Sequence, residues 1–250
     1  MTSPNRNGAI VFDVDGTLVD SERDGHRIAF NSAFSAAGLP YQWDVETYGR
    51  LLQTTGGRRR IAAFLRRQGH SRHEAEELAA TLHTDKTARF RAMVEQGTIP
   101  PRPGVRALLT ELSDTGVTLA VATTGTRVWV EPLLDNLFGR GRFACVVTGT
   151  EVPTLKPDPG VYLQALDGIG LRPNQAIAVE DSVNGLRAAQ GAGLRCLVVT
   201  NHYTSNQNFT GALAVLDRFL GHDVATLLRC HLLHDTAHIS SRSNTESDPR

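Results

Sequence analysis

The sequence predicts an α/β protein: a Rossmann-like, doubly wound parallel sheet with an α-helical cap inserted near its start. Three observations carry that prediction. Short apolar runs alternate with helical patterns through the second half of the chain. Acidic, hydroxyl and basic residues stand just beyond the ends of those runs, where parallel sheets collect reactive groups. Between the first run and the others lies a stretch reaching to about residue 97 that has helical character and no convincing strand.

The first strand is expected at "AIVF" (9–12), which runs into "DVDGTLVD" and places Asp13 and Asp15 two residues apart. In extended chain such carboxylates share a side and repel, so the pair calls for a cation or for two different roles. In the helical stretch that follows, "SRHEAEELAATL" offers Ser71 as N-cap with Glu74 three residues on, the capping-box spacing. "PPRPG" (100–104) marks a stiff boundary. Beyond it, strands are expected at "TLAVAT" (118–123), "FACVVTG" (143–149), "AIAVE" (176–180) and "CLVVT" (196–200), with helices at "GVRALLTELSDTG" and "NGLRAAQGAGL". The expected division is a core of residues 1–20 and 101–230, a cap over 21–100 and a disordered tail over 231–250. Cys230, His231, His234 and His238 near the tail read as solvated sequence rather than as a metal site.

Composition narrows the function. Lys+Arg and Asp+Glu number 26 each, so no global field recruits nucleic acid or an anionic membrane. No run approaches the roughly 20 apolar residues of a membrane span, and the N-terminus lacks the apolar core of a signal peptide. Three scattered cysteines do not make a disulfide framework. The expectation is a cytoplasmic, monomeric protein whose partner is a small molecule, not nucleic acid or membrane.

Four segments converge on the crevice beyond the sheet's carboxyl edge: Asp13 and Asp15, Thr123 and Thr124, Lys156 in "TLKPDPGVY", and Glu180 with Asp181. This set suits phosphoryl transfer through a carboxylate. Asp13 would attack phosphorus, and Asp15 would protonate the leaving oxygen and later deprotonate water. Mg²⁺ would answer the carboxylate repulsion, held by Asp13, a backbone carbonyl at Asp15 and Asp181, with Glu180 as an additional or outer ligand. Only Lys86 and Lys156 among the basic residues are lysines, and Lys156 supplies a compact ammonium beside phosphate. Thr123 would donate to a phosphoryl oxygen, with Thr124 beside it on the substrate, and Gly16 and Thr17 would direct N–H groups at the same anion. "TTGGRRR" offers glycine N–H groups and guanidinium forks to a second phosphate, with Arg59 and Arg60 read as a solvated face.

"DVDGT", "ATTG", "KPDPGVY" and "EDSVNG", in that order, resemble the four motifs of the haloacid dehalogenase superfamily of phosphatases and phosphomutases. A helical cap after the first motif resembles that of β-phosphoglucomutase and phosphoglycolate phosphatase. "SERDGHRIAFNSAF" and "YGRLLQTTGGRRRIAAFL" are similar to the CbbY type, which removes the Rubisco inhibitor xylulose 1,5-bisphosphate. That resemblance covers most of residues 9–205 and implies that Glu22, His26 and Tyr48 face the sugar, while Gly56, Gly57 and Arg58 form the loop for the distal phosphate. It also exposes departures: Gly125 and Trp129 stand where CbbY-like sequences usually show another hydroxyl residue and an asparagine, and Leu155 replaces a commonly basic neighbour of the motif lysine.

The implied activity is Mg²⁺-dependent hydrolysis of a small sugar phosphate, xylulose 1,5-bisphosphate above phosphoglycolate or a β-phosphoglucomutase-like transfer. A phospho-accepting signalling domain shares the acidic, threonine and lysine set. It would place its accepting aspartate on a middle strand and carry no large insertion after the first.

Overall fold

The computed structural model describes residues 7–219 and 224–232. Its strands are β1 (Ala9–Phe12), β2 (Thr118–Ala122), β3 (Cys145–Val147), β4 (Ala176–Glu180), β5 (Arg195–Val199) and β6 (Ala214–Leu216). They pair in parallel in the order β3-β2-β1-β4-β5-β6. β6, a three-residue half-exposed edge strand, is absent from the sequence expectation, and the expected 143–149 strand pairs only over Cys145–Val147.

Period-two alternation divides each strand between two buried faces. Ile10, Phe12, Leu119, Val121, Ile177 and Val179 pack on one side. Helices α5 (Val105–Asp114) and α6 (Arg127–Phe138) cover that side. Val11, Ala120, Ala122, Ala178 and Val198 pack on the other, beneath α7 (Gly160–Ile169) and α8 (Val183–Gly191). A helix over 224–232 joins the first side, which corrects the expected start of the tail at 231. Leu232 is buried in the core, and Arg195 Nη2 donates to the His231 carbonyl at 2.5 Å. Residues 233–250, with His234 and His238, lie outside the described residues.

Between β1 and α5 the chain forms a π-helical turn (Glu22–His26) and helices α1 (Arg27–Ala36), α2 (Val45–Leu51), α3 (Gly57–Arg67) and α4 (Arg72–Glu95). They bury their own cluster, including Phe30, Phe34, Trp43, Tyr48, Ile61 and Leu65. Along α4 the buried stripe is Ala75, Ala79, Leu82, Lys86, Phe90 and Val94, so helical spacing turns one lysine inward. Ser71 caps α4: its Oγ accepts from Glu74 N at 3.3 Å, and Glu74 Oε2 accepts from Ser71 N at 2.9 Å. Ser71→Ala is expected to cost about 1 kcal/mol, read as a lower denaturant midpoint; an unchanged midpoint would show that the cap contributes nothing. Among the described residues no helix is long and apolar enough to cross a membrane.

Register positions the chemistry. Phe12 lies level with Val121 and Val179, so the next residues, Asp13, Ala122 and Glu180, emerge together where the sheet order switches around β1.

Candidate active site

Asp13 follows β1 directly, and its N–H still donates to the Val179 carbonyl at 3.0 Å. Lys156 reaches it from the loop before α7. The ammonium donates to Asp13 Oδ1 at 2.7 Å, Glu180 Oε1 at 2.6 Å and the Ala122 carbonyl at 2.8 Å. All three of its protons are used, which suits a point charge rather than a planar guanidinium. Glu180 also accepts from the Tyr162 hydroxyl at 2.6 Å and from Asp181 N at 3.2 Å. Glycine is required at 185, because a Cβ there would stand 1.9 Å from Glu180 Oε2.

Asp181 is oriented by Asn201, whose Nδ2 donates to its Oδ2 at 2.7 Å and to the Gly16 carbonyl at 3.3 Å. Gly16 has φ +84°, and a Cβ on it would lie 2.4 Å from Asp181 Oδ2, so both conformation and space demand glycine there. Arg102, at the "PPRPG" boundary, donates to the Gly16, Val199 and Thr200 carbonyls and ties the Asp13 loop to β5.

Carboxylate oxygens of Asp13, Glu180 and Asp181 lie within 4.8 Å of one another. Burial raises the Asp13 carboxyl to about 7 despite the adjacent Lys156. Burial, with the charges of Asp13 and Glu180, puts Asp181 well above its ordinary value. Burial also works against the Lys156 ammonium, but the Asp13 and Glu180 charges outweigh it and hold Lys156 above the usual lysine value. One ammonium, paired with Asp13 and Glu180 only, thus stands against three buried acids, an arrangement that a further cation would complete.

Asp15 turns away from this cluster. Its Oδ1 accepts from the Ser21 hydroxyl and meets His26 Nε2 at 2.9 Å. Burial alone would raise Asp15; the charge and hydrogen bond of His26, with that of Ser21, hold it below its ordinary value instead. Lys86 Nζ stands 2.8 Å from His26 Nδ1. Burial lowers Lys86 to about 8.

The remaining expected residues divide. Glu22, Gly56 and Thr124 line a cavity of about 110 Å³ with Asp13, Asp15 and Lys156. Gly57 and His26 line an adjoining cavity of about 70 Å³. Thr123 is buried, its Oγ1 accepts from Gly125 N at 3.2 Å, and it lines neither cavity. Tyr48 is fully buried behind Glu22, to which its hydroxyl donates, and lines neither cavity.

The basic residues of the glycine loop are placed differently from one another. Arg58 is exposed and lines neither cavity, whereas Arg60, expected on a solvated face, is buried and lines both. Arg60 Nη1 donates to the Tyr48 hydroxyl and Nε to the Leu51 carbonyl, each at 3.2 Å. Sequence reasoning also gave no role to Ser21, Lys86, Tyr162, Gly185 or Asn201. For Lys86 a signal existed in the scarcity of lysine; Tyr162 and Asn201 are joined to the site by contacts between separate segments, and Ser21 and Gly185 by turns next to Asp15 and Glu180.

A family model for haloacid dehalogenase-like hydrolases matches residues 8–193. The chain is 46% identical to protein CbbY of Cereibacter sphaeroides over 215 residues, covering 84% of this chain and 92% of that protein. It is 39% identical to the CBBY-like protein of Arabidopsis thaliana over 217 residues, covering 84% and 68%. A crystal structure of a CbbY mutant from Rhodobacter sphaeroides in complex with xylulose-(1,5)bisphosphate superposes with a TM-score of 0.76 at 43% identity, covering 85% of this chain and 94% of that one. With matches of this extent in sequence and in fold, the chain belongs to the haloacid dehalogenase-like hydrolases, within their CbbY-type branch, and is a phosphatase.

Proposed function

We propose that the chain is a Mg²⁺-dependent phosphatase of a small phosphorylated sugar, xylulose 1,5-bisphosphate, acting through an aspartyl-phosphate on Asp13. The observation that carries this reading is the separation of two aspartates of one loop into different surroundings, Asp13 on the Lys156 ammonium and Asp15 on Ser21 and His26. Two carboxyl groups held apart in this way can take different roles.

Asp13 Oδ1 is engaged by Lys156, and the other carboxylate oxygen attacks phosphorus. The ester P–O bond breaks, and Asp15 protonates the departing sugar oxygen. A water then attacks the phosphoaspartate, Asp15 takes its proton, and the Asp13–phosphorus bond breaks to release phosphate. Asp15 enters the first step carrying the proton it gives to the sugar oxygen and recovers one from water in the second; the His26 and Ser21 contacts, which favour its ionised form, suit that second step. Lys156 and the N–H groups after Asp15 offset charge on the transferring group. Thr124, rather than Thr123, lines the space beside it.

The donor set fits a hard divalent cation, being buried carboxylate oxygens within 4.8 Å of one another. Asp13, Asp181 and the Asp15 carbonyl would hold Mg²⁺, while Glu180 is committed to Lys156 and Tyr162. When bound, the ion supplies positive charge to the phosphoryl oxygens.

Residues 21–100 act as a cap that closes over the substrate, hinged near 19–23 and 98–103. Support comes from the Val19–Pro101 bridge, which joins the two crossings, and from Asn184 Nδ2 donating to Thr55 Oγ1 at 3.1 Å across the cleft. Arg60 meets the distal phosphate. Arg60→Ala is expected to raise KM for a bisphosphate about tenfold or more beyond its effect on a monophosphate, whereas Arg58→Ala changes neither; equal effects of Arg60→Ala on both would place that phosphate elsewhere.

The reading is tested by phosphate release with Mg²⁺ and with a chelator, comparing xylulose 1,5-bisphosphate with ribulose 1,5-bisphosphate, phosphoglycolate and β-glucose 1-phosphate. Selective, chelator-sensitive turnover of the xylulose compound is expected. Turnover of another compound alone would keep the core chemistry and overturn the sugar assignment.

A further inference from the structure

We propose that Trp129, seated against Gly125, is a specificity-determining residue whose indole closes the inner end of the active-site space and sets the length of sugar bisphosphate accepted. This rests on the phosphatase reading above. The substrate space has two lobes that share Asp15, Glu22, Arg60 and Thr124 as walls. The first holds Asp13 and Lys156. The second, of about 70 Å³, adds Lys86 and His83, with Gly125 and Trp129 on its boundary.

Trp129 lies in the first turn of α6 and is 3% exposed. Its ring stands edge-on to His26, with centroids 5.2 Å apart at 76°, and to Phe90, at 5.0 Å and 89°. His26 and Phe90 stack in turn at 3.8 Å. A core helix thus braces the histidine that holds Asp15, and the indole is fixed by rings from two other elements.

Gly125 explains how the indole fits. Its φ is outside the left-handed region, so the backbone there does not demand glycine. A Cβ at 125, however, would lie 2.3 Å from Trp129 Cζ2 and 2.8 Å from Cη2. The indole occupies the place of a side chain at 125, and the two residues form one steric unit. A substrate with its reacting phosphate at Asp13 and its distal phosphate on Arg60, which lines both lobes, lays its carbon chain past Asp15 against this wall. Each added carbon must then displace the indole or draw the reacting phosphate away from Asp13.

The test is kcat/KM on linear five-, six- and seven-carbon ketose bisphosphates for the wild type, Trp129→Phe and Trp129→Leu, with a thermal melt on each. The wild type is expected to prefer the five-carbon compound. Trp129→Leu should lower the five-to-seven-carbon preference about tenfold or more, with Trp129→Phe between. Gly125→Ala alone should depress five-carbon turnover, and adding Trp129→Leu should restore it, a non-additivity that general destabilisation does not produce. Unchanged length preference in a folded variant, or additive losses at 125 and 129, overturns the proposal while leaving the phosphatase reading intact. If Trp129→Leu does not fold, the Trp129→Phe ratio and Gly125→Ala decide. Absence of wild-type turnover on all three compounds removes the bisphosphate reading, and the proposal with it.

Discussion

Asp13→Asn is expected to abolish phosphate release, by roughly 10⁴-fold or more in kcat, in a protein that still folds. The amide matches the carboxylate in shape and keeps an oxygen for the Lys156 ammonium, which now donates to Oδ1 at 2.7 Å. What disappears is the charged oxygen that forms the bond to phosphorus. The change also removes a carboxyl that burial, and after it the charges of Glu180 and Asp15, raise to about 7 against the pull of Lys156. Phosphate release alongside a thermal melt checks both halves. Retained turnover would remove Asp13 as nucleophile, and a collapsed melt would make the carboxylate a structural element first.

Lys156→Met should damage stability and activity together. The ammonium is the shared partner of Asp13 and Glu180, all three being nearly inaccessible. Removing one member of such a group strands the others, at a cost of about 3–5 kcal/mol, and loss of the charge beside the transferring phosphate should lower kcat about 10²- to 10³-fold. Adding Glu180→Gln separates the effects: the denaturant midpoint should recover in part, and kcat should not. Lys156→Arg is expected to rescue neither, because a planar fork cannot place three donors on Asp13, Glu180 and the Ala122 carbonyl in the same space. Full activity in Lys156→Met would assign the lysine to the fold alone.

The parallel sheet was legible because both of its faces are buried. Such strands appear as short continuous apolar runs, and the polar residue that ends each run belongs to the carboxyl edge. That logic brought Asp13, Lys156, Glu180 and Asp181 to one crevice from three distant segments. β6 escaped it because three half-exposed edge residues make no run, and Pro132 interrupts the pattern of α6.

The helical segment was harder to read, because its inward-facing residues are chosen by contacts between helices. Arg58 and Arg60 lie in the same basic run, and local composition does not distinguish them. Tyr48 and Leu51, from the preceding helix, draw Arg60 inward. Lys86 is a different case. The scarcity of lysine pointed to Lys86 and Lys156 alike, but motif context was present only for Lys156. The π-helical turn is likewise a backbone feature that composition does not announce, and it places Glu22 and His26 on the same site.

The most direct test of the central claim is to quench the Mg²⁺-supplied enzyme during turnover of a ³²P-labelled xylulose bisphosphate and map the labelled peptide. An acyl phosphate is expected on the peptide containing Asp13, lost in Asp13→Asn. Label on another residue, or steady turnover with no trapped label, would contradict it.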